Sequence, residues 1–213
     1  IAHGSGGGYL ELAVLPTFAS QWLIPRLKDF NDRHPDVRIN MGIRTDMFSF
    51  AESHFEAAIH YGKPTWPGTS SDYLFGEEVV PVCSPSLLAK PVRKPHDLLA
   101  YPLLHSTTRP DAWRQWFANF GVEDSSTMQG VRYELHTMLI SGAAAGLGIA
   151  LVPKFFVVGQ LQQLGLVIPF EATAVADSAY YLVYPTELSH GATLEQFRTW
   201  LLEQASAYAA PGR

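Results

Sequence analysis

Thr17, Phe18 and Ser20 directly follow a short apolar run, Tyr9 to Leu15, that ends at Pro16. In open α/β sheets, ligands bind outside the carboxyl ends of strands, where helix N-termini present N–H groups and a partial positive charge. Hydroxyls at such a place suit a small polar or anionic ligand. Thr17 could equally be only the cap of the helix that begins there. His136 and Thr137 occupy the corresponding place further along, between a predicted strand Val131 to Tyr133 and an Ala-rich helix. They too read either as ligand contacts or as caps. His105 and Ser106 end a predicted strand at Leu103 to His105, and Thr45 follows another that ends at Ile43.

Other chemistry-bearing residues fall into less productive patterns. The eight histidines show neither an H-x-x-x-H nor a Cys-His spacing, so no metal and no cofactor are expected. Gly142, Gly146 and Gly148 lie at a helix end leading into a strand, the reverse of the order that phosphate binding needs. Close helix packing and a C-terminal cap explain them better. Cys83, the single cysteine, stands in an apolar strand between Pro81 and Pro85 and reads as a structural thiol. No nucleophile, base and oxyanion donors are proposed by any motif, so the chain is not expected to be an enzyme.

The elements that position these residues alternate. Tyr9 to Leu15 predicts a strand; Leu23, Leu27 and Phe30 predict a helix started or kinked by Pro25; and Val37 to Ile43 alternates as a strand with one polar face. Strands follow at Phe55 to Tyr61 and Tyr73 to Cys83, and Ser84-Pro85 caps a short helix. Beyond Leu103 to His105, a helix carries Trp113, Trp116, Phe117 and Phe120 on one apolar face. After the helix of Thr137 to Ala145 come a strand at Gly148 to Val152, a helix at Lys154 to Gln163, strands at Leu166 to Phe170 and Tyr180 to Tyr184, and a last helix with Leu194, Phe197 and Leu201. The expected fold class is α/β, with helices on both faces of the sheet. Residues 1–8, with four glycines, read as a flexible linker or an expression scar.

The 213 residues are 47% hydrophobic and 16% charged, the balance of a globular chain with a buried core. The net charge of −5 disfavours a phosphate backbone as partner, so this segment is not expected to bind DNA by itself. No run of about 18 apolar residues suggests a membrane span. A lone cysteine favours the cytoplasm, though export is also compatible with it.

Three stretches together resemble the effector-binding domain of LysR-type transcriptional regulators, in the branch of the glycine-cleavage activators and β-lactamase regulators. They are Pro16-Thr17-Phe18-Ala19-Ser20 with Trp22 to Leu27; Ala57-Ala58-Ile59-His60-Tyr61-Gly62 with Trp66-Pro67-Gly68 and Pro81 to Pro85; and Ala143 to Pro153. The chain departs from that pattern at Glu56, at His60 where arginine is usual, and at Tyr133-Glu134-Leu135-His136. The resemblance implies two Rossmann-like lobes of mixed sheet, like periplasmic binding proteins, joined by crossover strands: lobe I from 9–82 and 185–208, lobe II from 83–184. It implies a small-molecule effector in the interlobe cleft, with the Tyr180 hydroxyl facing it. It also implies a homodimer through the strand near Val37 to Ile43, and DNA contact only through an N-terminal winged helix-turn-helix outside the chain. An exported solute-binding protein of a transport system is the alternative on the same architecture.

Overall fold

The computed structural model describes residues 8–172, 174–188 and 191–210, so the reading of 1–8 as a linker falls almost wholly outside it. The chain divides into two units: Ile1–Gly76 with Asp177–Arg213, and Glu77–Ala176.

In the first unit, β1 (Tyr9–Val14) pairs in parallel with β2 (Arg38–Ile43) and with β3 (Ala57–Gly62). The β3 strand pairs antiparallel with β8 (Ala174–Pro185), with Tyr61 opposite Tyr180. Between β1 and β2 the chain is helical without a break from Pro16 to Arg33: α1 (Pro16–Phe18), a π-turn (Ala19–Leu23), a 3-10 turn (Ile24–Arg26) and α2 (Leu27–Arg33). Pro25 accounts for the change of winding. It has no N–H to give, and its ring would strike the carbonyl four residues back, so the turn before it widens and the helix bends instead of ending. α5 (Ala192–Ala209) covers this unit with Leu194, Phe197, Trp200 and Leu201, all buried. Its Trp200 indole N–H donates to the Asp29 carboxylate at 2.8 Å, which ties α5 to α2.

In the second unit, β4 (Thr69–Val82), which enters from the first, pairs antiparallel with β7 (Ile149–Pro153). The β5 strand (Leu103–Ser106) pairs in parallel with β7 and with β6 (Val131–Tyr133). α3 (Ala112–Ala118) buries Trp113, Trp116 and Phe117 against Leu98, Leu103, Ile149 and Leu151, as its helical spacing requires. α4 (His136–Ala144) sets Leu139 and Ala143 against Leu104, Ala150, Val152 and Phe156.

The glycines at the end of α4 do what their order suggests: Gly142 lies in its last turn, Gly146 and Gly148 beyond it. Gly146 has φ +76° and its N–H donates to the Ala143 carbonyl, which ends the helix. A Cβ on Gly148 would lie 2.6 Å from the Pro102 carbonyl oxygen, and one on Gly142 would meet Leu104 and Tyr133 at 3.2 Å. Cys83 is buried in the α3-side core, and burial pushes its thiol up to about 11.

The segment after β7 departs from the sequence reading. In place of a helix at Lys154 to Gln163 there is a 3-10 turn, Lys154–Phe156, and then a series of turns. In place of a strand at Leu166 to Phe170 there is a single bridge between Val167 and Cys83. Gly159 and Gly165 adopt φ +88° and +64°, which no helix continues through, and Pro169 lacks the N–H that a longer ladder needs.

Candidate functional site

Each unit places its candidate residues where strands end and helices begin. In the first unit Leu15, not Thr17, is the N-cap residue of α1, and no side-chain capping bond is made there. Thr17 lies inside the first turn and is 5% exposed, while Ser20 is exposed and its hydroxyl donates to the Thr17 carbonyl at 3.4 Å. Phe18 is fully buried, its ring 5.0 Å from that of Tyr180 and 5.1 Å from that of Trp22. Tyr180 packs also against Tyr61 and Phe75 and is 0% exposed. Its ring is thus core, and contact with a ligand would require those neighbours to part. Thr45, half-buried, stands apart in the loop after β2.

The departures from the family pattern in this unit have local explanations. The Glu56 carboxylate accepts the Glu11 backbone N–H at 3.1 Å, and the Asn40 amide donates to the Glu11 carboxylate. His60 sets its ring edge-on to Trp66, and burial lowers its pKa against a hydrogen bond with Lys63 that raises it.

In the second unit the C-terminal ends of β5 and β6 meet the start of α4. The Thr107 N–H donates to the Tyr133 carbonyl, and the Ser106 hydroxyl, buried, is 2.9 Å from that of Thr108. α4 starts without a side-chain cap, its N-cap residue being Leu135. His136 and Thr137 therefore do not cap it. Thr137 is exposed. His136 is half-buried, edge-on to Phe156, and its pKa is held well below 6.5 by burial and by the nearby Arg109 guanidinium, so the imidazole is neutral at pH 7.

His105 points to the other side of β5 from Ser106, by the period of a strand. Its Nε2 is 2.8 Å from the Gln129 carbonyl and it is 2% exposed. Gly130 fits over it: a Cβ there would lie 2.1 Å from the Leu103 carbonyl oxygen and 2.9 Å from the His105 ring. This is the geometry of a histidine that fixes the loop before β6.

Two residues at this end of the unit were not among the candidates. Arg109, three residues beyond the end of β5, pairs through Nη1 with Oε1 of Glu77, whose side chain is 1% exposed. A signal existed for one of them: Glu77 shares the period-2 face of β4 with Phe75 and Val79, both buried. Among the described residues, no group of three or more His, Cys, Asp or Glu could hold a metal ion, and no helix is long and apolar enough to cross a membrane.

This arrangement is shared with known proteins. A family model described as the LysR substrate binding domain matches residues 3–206. The glycine cleavage system transcriptional activator of Escherichia coli (strain K12) is 34% identical over 207 residues, covering 95% of this chain and 67% of that protein. The HTH-type transcriptional activator AmpR of Pseudomonas aeruginosa is 31% identical over 208 residues, 96% of this chain and 69% of that protein. The solved effector domain of AmpR from P. aeruginosa matches with a TM-score of 0.84 at 29% identity, covering 94% of this chain and 97% of that one. The chain belongs to the LysR family, as the effector-binding domain of a LysR-type transcriptional regulator.

Proposed function

We propose that this domain senses a small polar or anionic molecule through Thr17, Phe18, Ser20, Thr45 and Tyr180 of the first unit and His105, Ser106, His136 and Thr137 of the second. The observation that carries the reading is the meeting of hydroxyls, a neutral imidazole and an uncapped α4 N-terminus at the ends of β5 and β6. Effector binding biases the regulator between two states, and so controls DNA contact made by a helix-turn-helix portion outside this chain. The net charge of −5 and the names of the relatives, which are transcriptional regulators and neither transporters nor enzymes, support that division of labour. The regulator works in the cytoplasm, where its DNA is.

The domain forms a homodimer through β2. This strand ends the sheet order of its unit and leaves Met41 and Ile43 exposed on one side, with Ile24 exposed on the helical segment. Sedimentation that finds only monomer at micromolar concentration counts against this.

A thermal-shift screen of amino acids, peptides and small organic acids tests the effector reading. Free ligand at about a hundred times its dissociation constant should stabilise the chain by about 2.7 kcal/mol, if only the native state binds. Thr17→Val and Thr137→Val each remove a hydroxyl and should weaken the ligand found by about 1 to 3 kcal/mol. Unchanged affinity in both, and in Tyr180→Phe, removes these residues from the site.

A further inference from the structure

We propose that the loop 90–96 of the second unit is a docking surface for an acidic polypeptide segment, which Lys90, Arg93 and Lys94 contact. None of these residues belongs to the effector site proposed above, so the two readings stand or fall separately.

The charge pattern sets this loop apart. No Asp or Glu occurs between Glu78 and Asp97, while three of the chain's 15 Lys and Arg residues fall within five positions. All three are exposed. Among the described residues none of them enters an ion pair, whereas Lys28, Arg33, Arg114 and Lys154 all do. The carboxylate that closes the loop, Asp97, accepts the Arg93 and Lys94 backbone N–H groups at 3.0 and 3.1 Å. It offsets one of the three charges, and the charge of Asp124 is felt by His96, which leaves the loop positive.

The backbone beneath these cations is held in place although it forms no helix or strand. The Tyr101 hydroxyl accepts the Lys90 N–H and donates to the Lys90 carbonyl, both at 3.2 Å, and Asp97 clasps the other end. Leu88 and Val92 pack on the α3-side core, and Pro91 and Pro95 restrict their own φ angles. A connection has no use for cations at fixed positions. A binding surface does, because less chain entropy is lost when the partner arrives.

The field of the whole chain decides which polyanion fits. Without these three cations the net charge would be −8 instead of −5. Five residues of extended chain reach at most about 17 Å. A DNA duplex is stiff and carries one charge per about 1.7 Å, so it would run past the loop onto the acidic remainder of the chain. A short acidic stretch of polypeptide matches the loop in length, and charges more than about 8–10 Å away are screened from it. Recognition of acidic motifs by clustered cations is a recurring mode of peptide binding.

The test is fluorescence anisotropy of a labelled glutamate decapeptide, titrated with the chain at low and at physiological salt, with a labelled DNA duplex as the competing class. Saturable peptide binding that weakens as salt rises is expected, and no duplex binding at physiological salt. Two triple variants of equal net charge separate the loop from the field of the whole chain. Lys90→Gln with Arg93→Gln and Lys94→Gln should weaken the peptide by about tenfold or more, the loss of several exposed charge contacts. Lys63→Gln with Arg114→Gln and Arg132→Gln, which removes exposed cations elsewhere, should weaken it far less. Tyr101→Phe removes the clasp on Lys90, leaves every charge in place, and should weaken the peptide several-fold. All six cations are exposed, and the melting temperature of each variant checks that the chain is folded. Absence of saturable peptide binding overturns the proposal, as does an equal loss in the two triple variants. Tighter binding of the duplex than of the peptide overturns the partner class. Unchanged affinity in Tyr101→Phe overturns the role of the held backbone.

Discussion

The residues beyond β1 are held by rings, whereas those beyond β5 and β6 are held by charge. Around Thr17, Phe18 packs on Trp22, Phe75 and Tyr180. Around Ser106 the fixing contacts are Arg109 with Glu77, the Arg109 N–H on the Ser106 carbonyl and the Thr107 N–H on the Tyr133 carbonyl. Both solutions make a rigid strand end. They differ in chemistry: the first strand end sets Thr17 and Ser20 beside aromatic rings, the second sets a hydroxyl pair and an ion pair in its turn.

Single and double substitutions separate the two designs most strongly. Phe18→Ala should cost about 3–5 kcal/mol in urea denaturation, because a buried ring is lost and a cavity remains. Arg109→Met should cost a similar amount, about 3–5 kcal/mol, by leaving the buried Glu77 carboxylate without its guanidinium. The comparison is sharpened by Glu77→Leu combined with Arg109→Met, which should recover most of the loss. If the double variant is as unstable as the single one, charge pairing is not what holds that strand end. Gly130→Ala comes next, at about 1–3 kcal/mol, since its φ of +144° and the 2.1 Å approach to Leu103 leave no room for a methyl group.

A pH series gives a smaller effect, confined to the histidines. His136, His105 and His60 all have pKa values lowered in the folded chain, chiefly by burial. Each binds its proton more tightly when unfolded. The stability they carry is complete above the ordinary value of 6.5 and declines as pH falls below it, by up to about 1.4 kcal/mol per pH unit for each. His136→Asn should flatten that slope, and an unaltered slope would show that the pKa of His136 is not lowered in the folded chain. Thr17→Val should change stability least, by less than about 0.5 kcal/mol. A helix cap would have cost about 1 kcal/mol, and Leu15 holds that position instead.

Much of the framework could be read from the chain because its signals are local. The alternation of Val37 to Ile43 names a strand, the spacing of Trp113, Trp116 and Phe117 names a helix and its buried side, and the structure has both elements. The passage after β7 could not be read that way. Its apolar residues mimic a helix and a strand, and the left-handed backbone at Gly159 and Gly165 is a property of the folded chain. The site divides along the same line. Thr17, Ser106, His136 and Thr137 could be placed at strand and helix ends because such ends are visible in sequence. The Glu77–Arg109 pair was not, since 32 residues separate its members and neither belongs to a motif. His105 shows the converse: its position at a strand end is right, yet strand pleating turns its ring to the Gln129 carbonyl.

The first unit is made of two stretches of chain and the second of one, Glu77–Ala176, set between them. During synthesis this imposes an order of assembly. The second unit can complete its own core while the chain is still being made. The first must keep Phe30 and the β3 edge waiting, because β8 and α5, which cover them, leave the ribosome only after the second unit has been made. Chains arrested after Ala176 should therefore protect Trp113 and Trp116 from solvent quenching while Trp22 stays accessible. Equal protection of all three at that length would show that the early segment folds without its late partners. Nascent chains of this kind carry an exposed aromatic surface until β8 and α5 have emerged, at a bacterial rate of about 5–20 residues per second.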